Sequence, residues 1–122
     1  MRQIKFRFWD SETDRYDGQM PRMRYWPSSP EEISLDAWIK GGAPCMQFTG
    51  LHDKNGKEIY EGDVVLATMV DAKTYRGVVE WQDDSADFDI SHPELGHQVA
   101  FGLDESCYEV IGNIYENPEL LK

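Results

Sequence analysis

From residue 44 onward, short apolar and β-branched runs are cut by polar turns at roughly 8–12-residue spacing, and this rhythm constrains the fold more than any other feature. Cys45-Met46-Gln47-Phe48-Thr49 is a short extended run. His52-Asp53-Lys54-Asn55-Gly56-Lys57 is a polar reversal whose Asn55-Gly56 pair suits a tight turn at positive φ. Glu61-Gly62-Asp63 is a second turn, and Val64-Val65-Leu66-Ala67-Thr68-Met69-Val70 follows it. Gly77-Val78-Val79-Glu80-Trp81 is another strand, which Asp83-Asp84-Ser85-Ala86 turns into Asp87-Phe88-Asp89-Ile90. Gln98-Val99-Ala100-Phe101 is weaker. Glu109-Val110-Ile111-Gly112-Asn113-Ile114-Tyr115 is the final strand, with Gly112 marking a bulge. This pattern predicts an antiparallel small barrel of SH3-like type over about residues 44–116, with Val64, Leu66, Val79, Trp81, Val110, Ile111 and Ile114 in its core.

The N-terminal part adds one strand and one helix to that barrel. Gln3-Ile4-Lys5-Phe6-Arg7-Phe8-Trp9 alternates with period two, placing Ile4, Phe6 and Phe8 on a core face and Gln3, Lys5 and Arg7 on a polar one. Asp10 to Asp14 read as a turn and Arg15-Tyr16 as the start of a returning strand. Residues 17–30 show no period and read as a loop. Ser29-Pro30-Glu31-Glu32 then has the cap, the proline and the first-turn acids of a helix start, and a short inserted helix near 30–40 ends at Gly41-Gly42. Asn117-Pro118-Glu119-Leu120-Leu121 reads as a cap, a proline and one helical turn. At 122 residues the chain is read as a single domain, 1–122.

Charge excludes more than it assigns. The chain carries a formal net charge of −11, distributed as +2 over residues 1–24 and −13 over the remainder. Between Arg76 and Lys122 there are 11 acids and no Lys or Arg. A broad phosphate-binding surface would have to work against that sign. The basic residues of the first segment, Arg2, Lys5, Arg7, Arg15, Arg22 and Arg24, interleave with Phe6, Phe8, Trp9, Tyr25 and Trp26, but an aromatic that faces the core cannot also stack on a base. Direct nucleic-acid binding is therefore not expected. No apolar run reaches the ~18–20 residues of a membrane-spanning helix, and the start lacks the apolar stretch of a secretory signal, so the expected compartment is the cytoplasm. Cys45 and Cys107 are expected as small buried residues rather than a disulfide.

The constellations that could carry chemistry fall short of their templates. Asp83 to Glu94 places oxygen side chains at positions 1, 3, 5, 7, 9 and 12 of a calcium loop. Phe88, however, stands where that loop needs glycine, and Pro93 stands where the exiting helix should begin. The expectation is a solvated β-hairpin that holds calcium weakly or not at all. His92 and His97 flank Glu94 at a spacing that fits neither one helix face nor a zinc motif, and His52 stands alone. There is no nucleophile motif of the GxSxG type, and Gly41-Gly42 ends a helix where a phosphate loop would begin one. No catalytic, cofactor-binding or metal-binding residue is assigned.

The blocks just described also resemble a known family. Arg2 to Asp10 is similar to the opening of the YopX proteins, and Met46 to Val65 to their central signature. Gly77 to Trp81 and Glu109 to Leu121 resemble the third and fourth blocks, in family order. The resemblance implies a mainly β protein encoded by bacteriophages and prophages, without an established activity and without site residues to transfer. The function expected is that of a non-enzymatic accessory protein, an interaction module. Asp83, Asp84, Asp87 and Asp89 form its candidate acidic docking face for a basic protein partner. The alternatives are a nucleic-acid-associated or DNA-mimicking protein, and an enzyme whose residues the sequence does not reveal.

Overall fold

In a computed structural model of the chain, the residues described are 3–11, 18, 20–27, 39–68, 73–83, 86–92, 97–100 and 107–121. They form a mainly β, antiparallel structure with almost no helix among them. Two compact units divide the chain, Met1–Phe48 and Thr49–Lys122.

In the first unit, β1 (Phe6–Asp10) lies between β2 (Arg22–Trp26) and the start of β3 (Cys45–His52). β1 pairs with β2 without a register break, from Phe6 opposite Trp26 to Asp10 opposite Arg22. Phe8 is 1% exposed, as the alternation requires, whereas Ile4 lies before the strand and stays exposed. Arg7 corrects the expectation of a polar outer face, because it too is buried. Its cross-strand neighbours are Tyr25 on β2 and Met46 on β3, and the burial of the consecutive Arg7 and Phe8 means that both faces of β1 are covered at this point. β2 falls in the segment read as a loop. Its Arg22-Met23-Arg24-Tyr25 stretch does alternate, but over four residues set among prolines and serines. Arg24 meets Asp10 diagonally across the sheet at 3.6 Å. Ile39 and Lys40 are helical, and Gly42, at φ +78°, turns the chain there by donating to the Ile39 carbonyl at 3.1 Å. The rest of the expected helix, and Arg15-Tyr16, lie outside the described residues.

In the second unit the latter part of β3 borders β4 (Glu58–Tyr60). β5 (Asp63–Thr68), β6 (Thr74–Gln82), β7 (Asp87–His92), β8 (His97–Ala100) and β9 (Tyr108–Asn113) form a five-stranded sheet in the order β8-β7-β6-β5-β9. Val64, Val65 and Ala67 of β5 are wholly buried, and two consecutive buried residues mean that both faces of this strand are covered. Ile59, Val65, Ala67, Val79, Ile90 and Tyr108 make one core cluster, with Leu51, Phe88, Cys107 and Val110 packed at its edge. Against the expected core list, Val64 and Val79 are buried, and Leu66, Val110, Ile111 and Ile114 are half-buried. Trp81 is the plain correction, at 44% exposed. The last fully buried pair of the β6–β7 ladder is Val79 opposite Ile90, and Trp81 lies two residues beyond it. Cys45 is likewise exposed rather than buried, at the first residue of its strand, and neither cysteine is in a disulfide. A short 3-10 helix, Pro118–Leu121, follows β9.

Candidate functional site

Three places hold polar side chains close together, and they differ in what those side chains do. The first is the turn between β3 and β4. Asp53 is 5% exposed, and its carboxylate accepts three backbone N–H bonds, from Asn55 and Lys57 at 2.9 Å on Oδ1 and from Val110 at 2.9 Å on Oδ2. Burial pushes the Asp53 carboxyl up, but those bonds and the Lys57 charge outweigh it and hold it below the usual carboxylate range. Gly56, at φ +83°, donates to the Asp53 carbonyl at 3.0 Å, which is the tight turn expected of Asn55-Gly56. A second buried carboxylate, Asp63, accepts from the Tyr60 amide at 2.8 Å across the Glu61-Gly62 turn.

The end of β9 repeats this logic with amides. Asn113 Oδ1 accepts from the backbone of Tyr115 at 3.0 Å and Glu116 at 2.8 Å, and Asn117 Oδ1 accepts from the Asn113 amide at 3.2 Å. These are side chains that close turns and fix strands. Their oxygens are engaged by the backbone, so they offer no open general acid, base or ligand set. A shallow cleft of about 150 Å³ lies nearby, lined by Lys54, Thr68, Thr74, Cys107 and Glu109 among others. Its ammonium group is neutralised by Glu109, 3.3 Å from Lys54 Nζ.

The third place is the β6–β7 hairpin, where the sequence placed its docking face. Asp83 is exposed at the turn, and Asp87 and Asp89 are half-buried on β7; Asp84 lies outside the described residues. Asp87 stands opposite Gln82 and Asp89 opposite Glu80, so these four share one face of the sheet. Burial raises the Asp89 carboxyl above its ordinary value, and the charge of Asp87 and a hydrogen bond to it act in the same direction. Asp89 Oδ1 has no hydrogen-bond partner. Positions 5 to 10 of the calcium-loop template, Asp87 to His92, lie in β7. From Asp87 to Ser91 the side chains alternate between the two faces of the strand. Among the described residues no cluster of three His, Cys, Asp or Glu is placed to hold a metal.

Sequence reasoning missed Trp81 here. It sits on the opposite face from Asp87 and Asp89, directly across from Phe88, with ring centroids 5.0 Å apart in an edge-to-face arrangement at 69°. Its indole Nε1 donates to Asp83 Oδ1 at 2.8 Å. The available signal was its place two residues before the acidic turn, where a strand has run past its core. The β7–β8 register also sets His92 opposite His97, a pairing hidden in the linear spacing because the hairpin creates it.

No helix of the described residues is long and apolar enough to cross a membrane. A search of curated proteins finds no match. Among solved structures, the chain is similar to the crystal structure of protein EF1440 from Enterococcus faecalis, with 23% sequence identity, a TM-score of 0.54, and full coverage of both chains. That likeness concerns the fold. Residues 5–122 match the family described as YopX protein, so the four sequence blocks and the turns they build are those of a relative: the chain belongs to the YopX family.

Proposed function

We propose that this chain is a phage- or prophage-type accessory protein of the host cytoplasm. In this reading it acts without catalysis, as an interaction module that presents the acidic β6–β7 hairpin to a basic protein. The observation that carries the reading is the crowding of Asp87 and Asp89 on one sheet face opposite Glu80 and Gln82, with Asp83 at the turn. The surrounding 77–121 segment contributes no Lys or Arg of its own. Like charges held this close are costly to the fold, and a surface that concentrates them gains in steering an oppositely charged partner. The scaffold suits the role. A four-strand meander whose fifth strand returns to pair with the first is the topology of an SH3-like small barrel, and it supports that reading of the β8-β7-β6-β5-β9 sheet.

The test is capture from host extract by wild type and by a variant carrying Asp83→Asn, Asp84→Asn, Asp87→Asn and Asp89→Asn. Basic proteins should be retained by the wild type, released as salt shortens the screening length to ~8 Å, and lost from the variant. An identical captured set for both proteins at low and high salt would overturn the proposal.

A further inference from the structure

We propose that Trp81 is the anchor of this hairpin and that it takes an arginine side chain of the basic partner, the guanidinium lying flat on the exposed indole beside the Asp83 carboxylate. The inference rests on the docking reading above and names the contact that would give it affinity.

The exposure, fixed pose and chemistry of the ring lead to it. Trp81 is 44% exposed on a sheet face, and tryptophan is among the side chains enriched at protein interfaces. It is also held in one pose: Phe88 meets it edge to face at 5.0 Å, and its Nε1 is engaged by Asp83 at 2.8 Å. A ring fixed in advance loses little freedom when a partner arrives. Because the indole N–H is already satisfied, what it offers is the π face, and tryptophan is the aromatic that attracts a cation best.

The charge of the surroundings then selects the occupant. An aliphatic anchor laid over Trp81 would strip water from Asp83 and leave a carboxylate without a positive partner, which is unfavourable. A guanidinium compensates that carboxylate, stacks on the ring through its plane, and is more weakly hydrated than an ammonium. Glu80, Asp87 and Asp89 lie on the other face of the same two strands, so they make no contact with that arginine and add only long-range attraction of the same sign.

The experiment titrates a nona-arginine peptide into the full chain at low and at physiological salt, using calorimetry and the 15N-labelled indole resonance of Trp81. We expect that resonance to move on titration. Trp81→Leu should weaken binding roughly 3- to 10-fold and Trp81→Phe by less, as a lost cation–π contact requires. The combined Asp83→Asn, Asp87→Asn and Asp89→Asn variant should bind more weakly and respond less to salt. If Trp81→Leu binds as tightly as wild type while the Asn variant loses binding, the anchor is wrong and the acidic face stands. If neither variant weakens binding, both readings fall. A neutral proline-rich peptide that moves the Trp81 resonance when nona-arginine does not would also overturn the proposal. Should Trp81→Leu fail to fold, the resonance shift in the wild type and the affinity of Trp81→Phe decide alone.

Discussion

Asp53 is buried and Asp89 half-buried, and the two acids pull stability in opposite directions. The Asp53 carboxylate is preferred in the folded state, so its folded pKa lies below the unfolded value. Its contribution is present above that unfolded value and is lost as pH falls through the folded one. Asp53→Ala should therefore cost about 2–4 kcal/mol at neutral pH, because three buried amides lose their acceptor, and should flatten the acid limb of a urea-melt pH series. Asp89 is the reverse. Its folded pKa is raised, so the folded state binds the proton better and ionisation above that pKa destabilises it. Asp89→Asn should raise the neutral-pH melting temperature by an amount worth less than about 1 kcal/mol. That gain should vanish as the pH is lowered through the Asp89 titration. A neutral-pH melt lowered by Asp89→Asn would show that its unpartnered oxygen is not a burden to the fold.

Within single elements, the glycines of the turns carry the sharpest expectations. Gly56 occupies φ +83°, so Gly56→Val should destabilise the chain by roughly 1–3 kcal/mol in a thermal or urea melt. Gly112 is constrained by space instead. A Cβ there would stand 2.5 Å from Asn117 Oδ1 and 2.8 Å from Leu120 Cδ1, so Gly112→Ala must displace the side chain that holds the Asn113 amide. A loss of roughly 1–3 kcal/mol is expected, with Gly112→Ala/Asn117→Gly less destabilised than the sum of the two single changes. These elements were legible because turn chemistry is local: Asn55-Gly56, Glu61-Gly62-Asp63 and Asn117-Pro118 announce themselves within a few residues. β2 was not legible, since a strand whose alternate positions are arginines is stabilised by a partner, Asp10, that only the folded sheet brings near. Trp81 was misread for the complementary reason. Its strand pattern is that of a core residue, and only the length of the hairpin beyond Val79 and Ile90 shows that the core has ended.

For the whole molecule, the comparison with the Enterococcus faecalis protein shows that 23% identity suffices to keep the fold. β5 is flanked on both sides and covered on both faces, so the amides of Val65 and Ala67 should exchange with solvent slowest in the chain, at the rate set by global unfolding. Faster exchange there than in β7 would mean that the sheet opens from its middle. The proposed docking face was legible only as charge. The sequence counts acids, but which of them share a face with Glu80, and which aromatic lies on the other side, is settled by strand register.

The ties at the two ends of β9 also amount to a length constraint. Asp53 fixes the Val110 amide, whose ladder partner is Val65, and four residues later the Ile114 amide is fixed by the Gly62 carbonyl. β5 and its turn cover the same interval in three residues, from Val65 back to Gly62, so one strand carries one residue too many between two fixed points. The surplus appears as the register shift between Val64 and Val65, which leaves Ile111 without a ladder partner beside the cramped Gly112. The bulge is thus a counting remainder. Deleting Ile111 would leave Val110 opposite Val65, Gly112 opposite Val64 and Asn113 opposite Asp63, and so would remove the kink without moving either fixed point.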